Sequence, residues 1–153
     1  MITSMTRRHY RDAENLVISV FAGKVDDAEL EAHVEGLITE GRLKPGFREL
    51  ADCRGITSQD QVTTEGLRRT ARLEAVSRLP EGGPLALVAP SGSTYGVARM
   101  YSVFAEKTRR EIAVFTEIEE ACGWLGTSVN RVRAALVESQ GPAIREAPRS
   151  PRP

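Results

Sequence analysis

Apolar and polar positions along this chain follow two rhythms, one alternating residue by residue and one with the helical period of about 3.6, and the switches between them mark the elements. Arg8 to Asp12 and Asn15 to Phe21 are two extended segments separated by Ala13-Glu14, which predicts a hairpin. Asp26 and Asp27 stand where a helix would be capped, and Leu30, Val34, Leu37 and Ile38 then form one helical face that Gly41 ends. Phe47 to Cys53 reads as a strand ending near Asp52 and weakened by Arg48 and Glu49. A loop through Gly55 and Ser58 leads to a helix from about Gln61 to Arg78 with Leu67, Ala71, Ala75 and Leu79 turned inward. After the breaker Pro80 to Pro84, Leu85 to Ala89 is the most apolar run in the chain, which predicts a strand covered on both faces at the heart of the sheet.

Pro90 to Ser93 then turns into a helix with Val97, Met100, Tyr101, Phe104 and Ala105 on one face, and Ile112 to Phe115 forms a last short strand. Thr116 is placed to cap the next helix in a Thr-Glu-Ile-Glu capping box, with Ile118, Ala121, Cys122 and Leu125 inward. A final helix starts at Thr127 or Ser128 and carries Val129, Val132, Leu136 and Val137. The order β-β-α-β-α-β-α-β-α-α predicts an α/β fold: a mixed, largely parallel sheet of about five strands, opened by an N-terminal hairpin and packed against helices. Such sheets place ligands beyond the carboxyl ends of their strands, which directs attention to Asp52 to Asp60, Pro90 to Tyr95 and Thr116.

Composition sharpens the boundaries. The 153 residues are 41% hydrophobic and 27% charged, enough for one core, and residues 7–137 read as a single domain. Residues 138–153 hold four of the eight prolines and three arginines with one large apolar residue, Ile144, which predicts a disordered tail. Lys plus Arg (21) equals Asp plus Glu (21), so no global field favours nucleic acid or an anionic membrane. Two cysteines, Cys53 and Cys122, supply neither a disulfide framework nor a zinc site. No apolar run reaches the length of a membrane span, and Met1 to Arg8 does not read as a secretory signal. The expectation is a cytoplasmic protein without integral membrane association, metal or cofactor.

The strand ending in Asp52-Cys53-Arg54-Gly55-Ile56, the segments Leu87-Val88-Ala89-Pro90 and Tyr95-Gly96-Val97-Ala98-Arg99-Met100, and the close Phe115-Thr116, Glu119-Glu120-Ala121, Trp124-Leu125 carry a family likeness. Together with the hairpin-first order they resemble the STAS superfamily, in particular its small stand-alone SpoIIAA-like branch, related in fold to lipid-binding Sec14-type domains. The resemblance spans about Arg7 to Leu125. It implies a non-enzymatic regulatory or protein-interaction module with a protein partner. In the family's best known members, antagonists of anti-sigma factors, a serine in an Asp-Ser-Ser-Gly-Leu motif is phosphorylated. Counting forward from Asp52 puts Asp60-Gln61-Val62 on that motif without a hydroxyl, whereas a short insertion puts Thr63-Thr64-Glu65-Gly66-Leu67 there. The expected partner surface or phosphoacceptor segment therefore comprises Ser58, Asp60, Thr63, Thr64, Arg68 and Arg69.

A second expectation is a carrier of a small hydrophobic or phosphorylated ligand at the strand ends. Ser91, Ser93, Thr94 and Tyr95 follow the strongest strand and open a helix, so hydroxyls and backbone N–H groups collect there, although ordinary turn and cap chemistry accounts for the same residues. No lysine follows a second glycine as in a P-loop, Thr94 occupies the centre of Gly92 to Gly96 where a nucleophile elbow has serine, and no histidine follows. His9 and His33 lack partners at ligand spacing and read as solvated or half-buried. Arg72 joins Arg68 and Arg69 on a basic ridge, Arg109-Arg110 precedes the last strand, and Cys53 reads as a small core residue. Sheet edges and the Met100 helix offer surfaces for a homodimer that nothing in the sequence requires.

Overall fold

The structure, a computed structural model, describes residues 4–138, so the tail predicted over 138–153 lies, Glu138 apart, outside the described residues. Strands β1 (Ser4–Arg11) and β2 (Leu16–Asp26) form the antiparallel hairpin around a short 3-10 turn, Asp12–Glu14. Asn15 leaves that turn at φ 51°, a left-handed conformation that asparagine tolerates, and its side chain clamps the chain at Lys44, accepting from the Lys44 N–H at 2.9 Å and donating to its carbonyl at 3.1 Å. Helix α1 (Asp27–Glu40) starts as expected, with the Asp26 carboxylate accepting from Glu29 N–H at 2.8 Å, and ends at Gly41 in the left-handed region.

There follow β3 (Phe47–Gln61), α2 (Thr64–Val76), β4 (Gly82–Val88), α3 (Ser93–Phe104), β5 (Arg109–Phe115), α4 (Ile118–Leu125) and α5, residues 129–138. The sheet order is β1-β2-β3-β4-β5, parallel everywhere except the hairpin. All seven residues of β4 are buried, and Leu85 lies between Glu49 of β3 and Ile112 of β5. The run from Leu85 is thus an interior strand, while β3 is the middle one.

Alternation assigns the two faces. Leu16, Ile18, Leu50, Ala86 and Val88 look toward α4 and α5, where Cys122, Leu125, Val132 and Ala135 complete an apolar layer. Phe21, Ala51, Cys53, Leu85 and Leu87 look the other way, toward the helices α1, α2 and α3. Burying a leucine-sized side chain contributes about 2 kcal/mol, so both layers hold the sheet.

The chain departs from expectation where local pattern competes with tertiary pairing. β3 does not stop at Asp52: beyond its last pairing with β4 it runs to Gln61 on β2 alone, through three register shifts. Its polar second half reads as a loop in sequence because one side of it stays wet, and the unusual length of β2 supplies the partner. Thr116 is not the cap of α4: the chain is still extended at Glu117, which occupies the cap position without a side-chain bond. On α2 the inward residues are Gly66, Leu67, Thr70, Ala71 and Glu74, and Ala75 is exposed. On α3 Ala98 is buried while Met100 faces out, and Val137 of α5 is exposed.

Gly66 is fixed by a close approach. A Cβ there would stand 2.0 Å from the Asp27 carboxylate, which accepts from Thr63 N–H at 2.9 Å and from Thr63 Oγ1 at 2.6 Å. Gly96, inside α3, faces open space. Gly66→Ala is expected to lower stability by about 1–3 kcal/mol and Gly96→Ala to raise it by about 0.5–1 kcal/mol in urea unfolding. Equal effects would contradict the Asp27 clamp.

Candidate functional site

Beneath α1, α2 and α3 the sheet carries a buried polar network. Glu49 alternates with Leu50 on β3, so it points toward these helices and is 2% exposed. One of its oxygens accepts from Ser19 Oγ of β2 at 2.7 Å and faces His33 Nε2 of α1 at 2.9 Å, and the other accepts from Arg109 Nη2 at 2.6 Å. Arg109, at the start of β5, also donates through Nε to Glu74 of α2 and lies over the Phe47 ring at 4.8 Å. Arg8 Nη1 stands 3.4 Å from His33 Nδ1; arginine can only donate, so this bond leaves the imidazole proton on Nε2, facing Glu49.

Burial alone would raise the Glu49 carboxyl, but the Arg109 charge and the His33 hydrogen bond overcome it and hold the group well below the ordinary carboxylate range. Burial lowers Arg109 in turn, and Glu74 and Glu49 more than reverse this, so its guanidinium is held charged above its usual value. Cys53 has no such partner: burial, with the charges of Asp52 and Glu49, pushes its thiol up to about 12.

The network forms the deep end of a cavity of about 90 Å³ between the sheet and α1, α2 and α3. Its walls are apolar, with Phe21, Ala51, Leu85 and Leu87 from the sheet and Leu67 and Ala98 from the helices. The half-buried side chains of Ile56, Gln59, Val62 and Thr94 border its outer end, beside the carboxyl end of β3. Thr70 and Arg109 both line it, and among the described residues their Thr70 Oγ1 and Arg109 Nη1 are buried atoms without a hydrogen-bond partner.

The residues singled out from the sequence fall around this cavity rather than in its depth. Ser91 is exposed in the turn before α3. Ser93 accepts from Gln59 Nε2, Thr94 Oγ1 donates to Gln59 Oε1 at 2.9 Å, and Tyr95 packs against the apolar layer under α3. Of these four, Thr94 lines the cavity. Ser58 Oγ accepts from the Asp60 N–H at 3.4 Å on the wet half of β3. Thr63 caps α2, accepting from Gly66 N–H at 2.9 Å, whereas Thr64 Oγ1 meets only Met100 Sδ at 3.6 Å. Arg69 pairs with Glu31 at 3.1 Å, Arg68 lies over the Phe104 ring at 5.1 Å, and Arg72 and Arg110 are exposed. His9 approaches Glu138 at 3.8 Å, while His33, read as solvated or half-buried, is 7% exposed and held by Glu49.

Glu49, Glu74, Thr70 and the pairing of Arg109 escaped the sequence reading. A signal existed for α2: Leu67, Thr70, Ala71 and Glu74 stand at i, i+3, i+4 and i+7, one helical face, with two polar members. Glu49, on the same face of β3 as Phe47 and Ala51, calls for a cationic partner, but the partner is 60 residues away.

Because Glu49 titrates lower in the folded chain than in the unfolded one, its contribution is complete above about pH 5 and is lost as pH falls. Glu49→Gln is expected to cost about 3 kcal/mol at pH 7, with the gap to the parent narrowing toward pH 3 in urea titrations. A gap independent of pH would contradict the assignment. Cys53 should resist iodoacetamide at pH 8 in the folded protein and react fully once unfolded; prompt labelling of the native chain would place the thiol elsewhere.

Comparison with known protein families and with curated proteins finds no match. Several solved structures resemble the chain. One is an anti-sigma factor antagonist from Mycobacterium paratuberculosis, 15% identical, covering 78% of this chain and 92% of that one at a TM-score of 0.50. Another is an uncharacterised protein with a SpoIIAA-like fold from Shewanella loihica, 14% identical, covering 80% and 93% at a TM-score of 0.52. The chain has a SpoIIAA-like fold. Among the described residues no helix is long and apolar enough to cross a membrane.

Proposed function

We propose that this SpoIIAA-like domain is a non-enzymatic regulatory module that docks a protein partner through the first turns of α2 and the adjoining outer face of α3. One observation carries the reading. Thr64, at the first position of α2, leaves its hydroxyl exposed beside Met100, which is 39% exposed, and Val103 on the same helix is 62% exposed. Arg68 and Arg72 follow on the exposed side of α2, so hydroxyl, apolar and cationic groups share one surface. Large apolar side chains left in water beside cations suit a partner with an apolar, acidic face.

The likeness in fold to an anti-sigma factor antagonist supports a docking role. Against catalysis stand the groups that would have to perform it: the Glu49 oxygens are taken by three donors, and Cys53 is a buried, protonated thiol. Of the two threonines at the start of α2, Thr63 is consumed by its cap and by Asp27. Thr64 is therefore the hydroxyl for any phosphate, which the helix N-terminus and Arg68, one turn on, would favour.

The test is capture from a lysate, identification of the bound protein, and titration of the purified pair. Thr64→Glu and Met100→Asp are each expected to weaken binding at least about tenfold, and Glu120→Ala, exposed on the opposite side of the sheet, to leave it unchanged. Equal binding by all three variants would overturn the proposed face.

A further inference from the structure

We propose that the open edge of β5 pairs antiparallel with β5 of a second copy of this chain, about a two-fold axis at Ile112, and joins two sheets into one. This surface is separate from the docking face, since Thr64 and Met100 lie where α2 meets α3 and not at the sheet edge.

The direction of the backbone groups shows what the edge offers. Phe115 turns its carbonyl toward β4, where it accepts from Ala89 N–H at 2.8 Å. Alternation therefore points Glu111 and Ala113 toward β4 as well, and the N–H and C=O groups of Arg110, Ile112 and Val114 away from the sheet. β5 is the last strand of its sheet, and among the described residues nothing bonds to these outward groups. Exposed edges are ordinarily blunted by proline, bulges or charge, yet Ile112 to Phe115 is an unbroken apolar run, and even Ala113 in its middle is only half-buried. Helix α3 covers one face of the strand and α4 the other, which leaves the edge between them open.

A second copy fits this edge in one register. With Ile112 opposite the partner's Ile112, Arg110 stands opposite the partner's Val114, and every outward N–H and C=O of the three residues meets a counterpart. Glu111 then lies opposite the partner's Ala113. A displacement of one residue sets outward groups against groups already engaged with β4. A displacement of two residues sets Glu111 against the partner's Glu111 in one direction and leaves Arg110 outside the strand pairing in the other. The same register brings Lys107, in the turn before β5, opposite the partner's Glu117, where the chain is still extended beyond the strand. Both side chains are exposed, and within one copy Glu117 makes no capping bond and neither residue an ion pair, so the axis creates this charge pair twice. A seam of one strand pair lies below the roughly 1,200 Å² of a standard interface, so the dimer is weak and reversible.

The test is sedimentation equilibrium of the full chain from about 1 to 500 µM. A reversible monomer–dimer equilibrium is expected, with Kd in the micromolar range. Lys107→Glu and Glu117→Lys should each raise Kd at least about fivefold, and the double variant, which restores opposite charges, should return it to within about twofold of the parent. Amide hydrogen exchange supplies a second readout: protection of Ile112 and Val114 should rise with protein concentration, whereas Ala113, bonded within its own sheet, should be protected throughout. A monomer at 500 µM, species larger than a dimer, a double variant no tighter than the single ones, or exchange at Ile112 and Val114 independent of concentration would overturn the proposal.

Discussion

A single guanidinium, that of Arg109, is shared by two buried carboxylates from different elements, Glu49 in the middle strand and Glu74 on α2. Each of these charges would be expensive alone, because water solvates it far better than the interior does; as a set they are tolerable, and only in one arrangement. The arrangement therefore acts as a register. It fixes the start of β5 against β3, draws α2 down at its last turn and, through His33, brings α1 to the same point. Even Gly82 answers to it: a Cβ there would stand 2.5 Å from Arg109 Cδ, so the neighbouring strand opens with a residue that has none.

The two faces of the sheet divide the work. Under α4 and α5 the layer is mainly apolar, built from leucine, isoleucine, valine, alanine and a buried cysteine. Its polar members Arg48 and Asp52 are bonded to the Leu125 carbonyl and to Arg54, and among the described residues neither buried atom without a hydrogen-bond partner belongs to it. Under α1, α2 and α3 the packing is looser and mixed, with a cavity between the buried charges and the half-buried ends of β3 and α3. The first face is a scaffold, and the second concentrates everything with chemical potential, including the exposed start of α2. Helix α2 belongs to the buried network by one side, through Glu74, and to the proposed docking face by the other.

The fold was legible where local signals were strong and agreed with the packing. Asp26 and Gly41 bound α1 by cap chemistry within a few residues, and the apolar run from Leu85 has no other place than the interior of a sheet. The site was much less legible, for two physical reasons. Its parts come from five elements, and nothing in the neighbourhood of Glu49 reveals that Arg109 and His33 will donate to it. Helical faces were also assigned by hydrophobicity alone, which favoured Met100 over Ala98 and Ala75 over Glu74; the structure instead buries the small residue, leaving the cavity, and the paired acid, supplying its floor. The same preference for apolar alternation cut β3 short at Asp52, because half-wet pairing with β2 has no strong pattern.

The most direct test of the register is a double-mutant cycle between Glu49→Gln and Arg109→Met, with stability measured by urea unfolding at pH 7. In both halves of the cycle Glu74 is treated alike, so the coupling isolates the Glu49–Arg109 pair. A coupling of about 2 kcal/mol or more is expected for a shared buried charge, and additivity within about 0.5 kcal/mol would contradict the account.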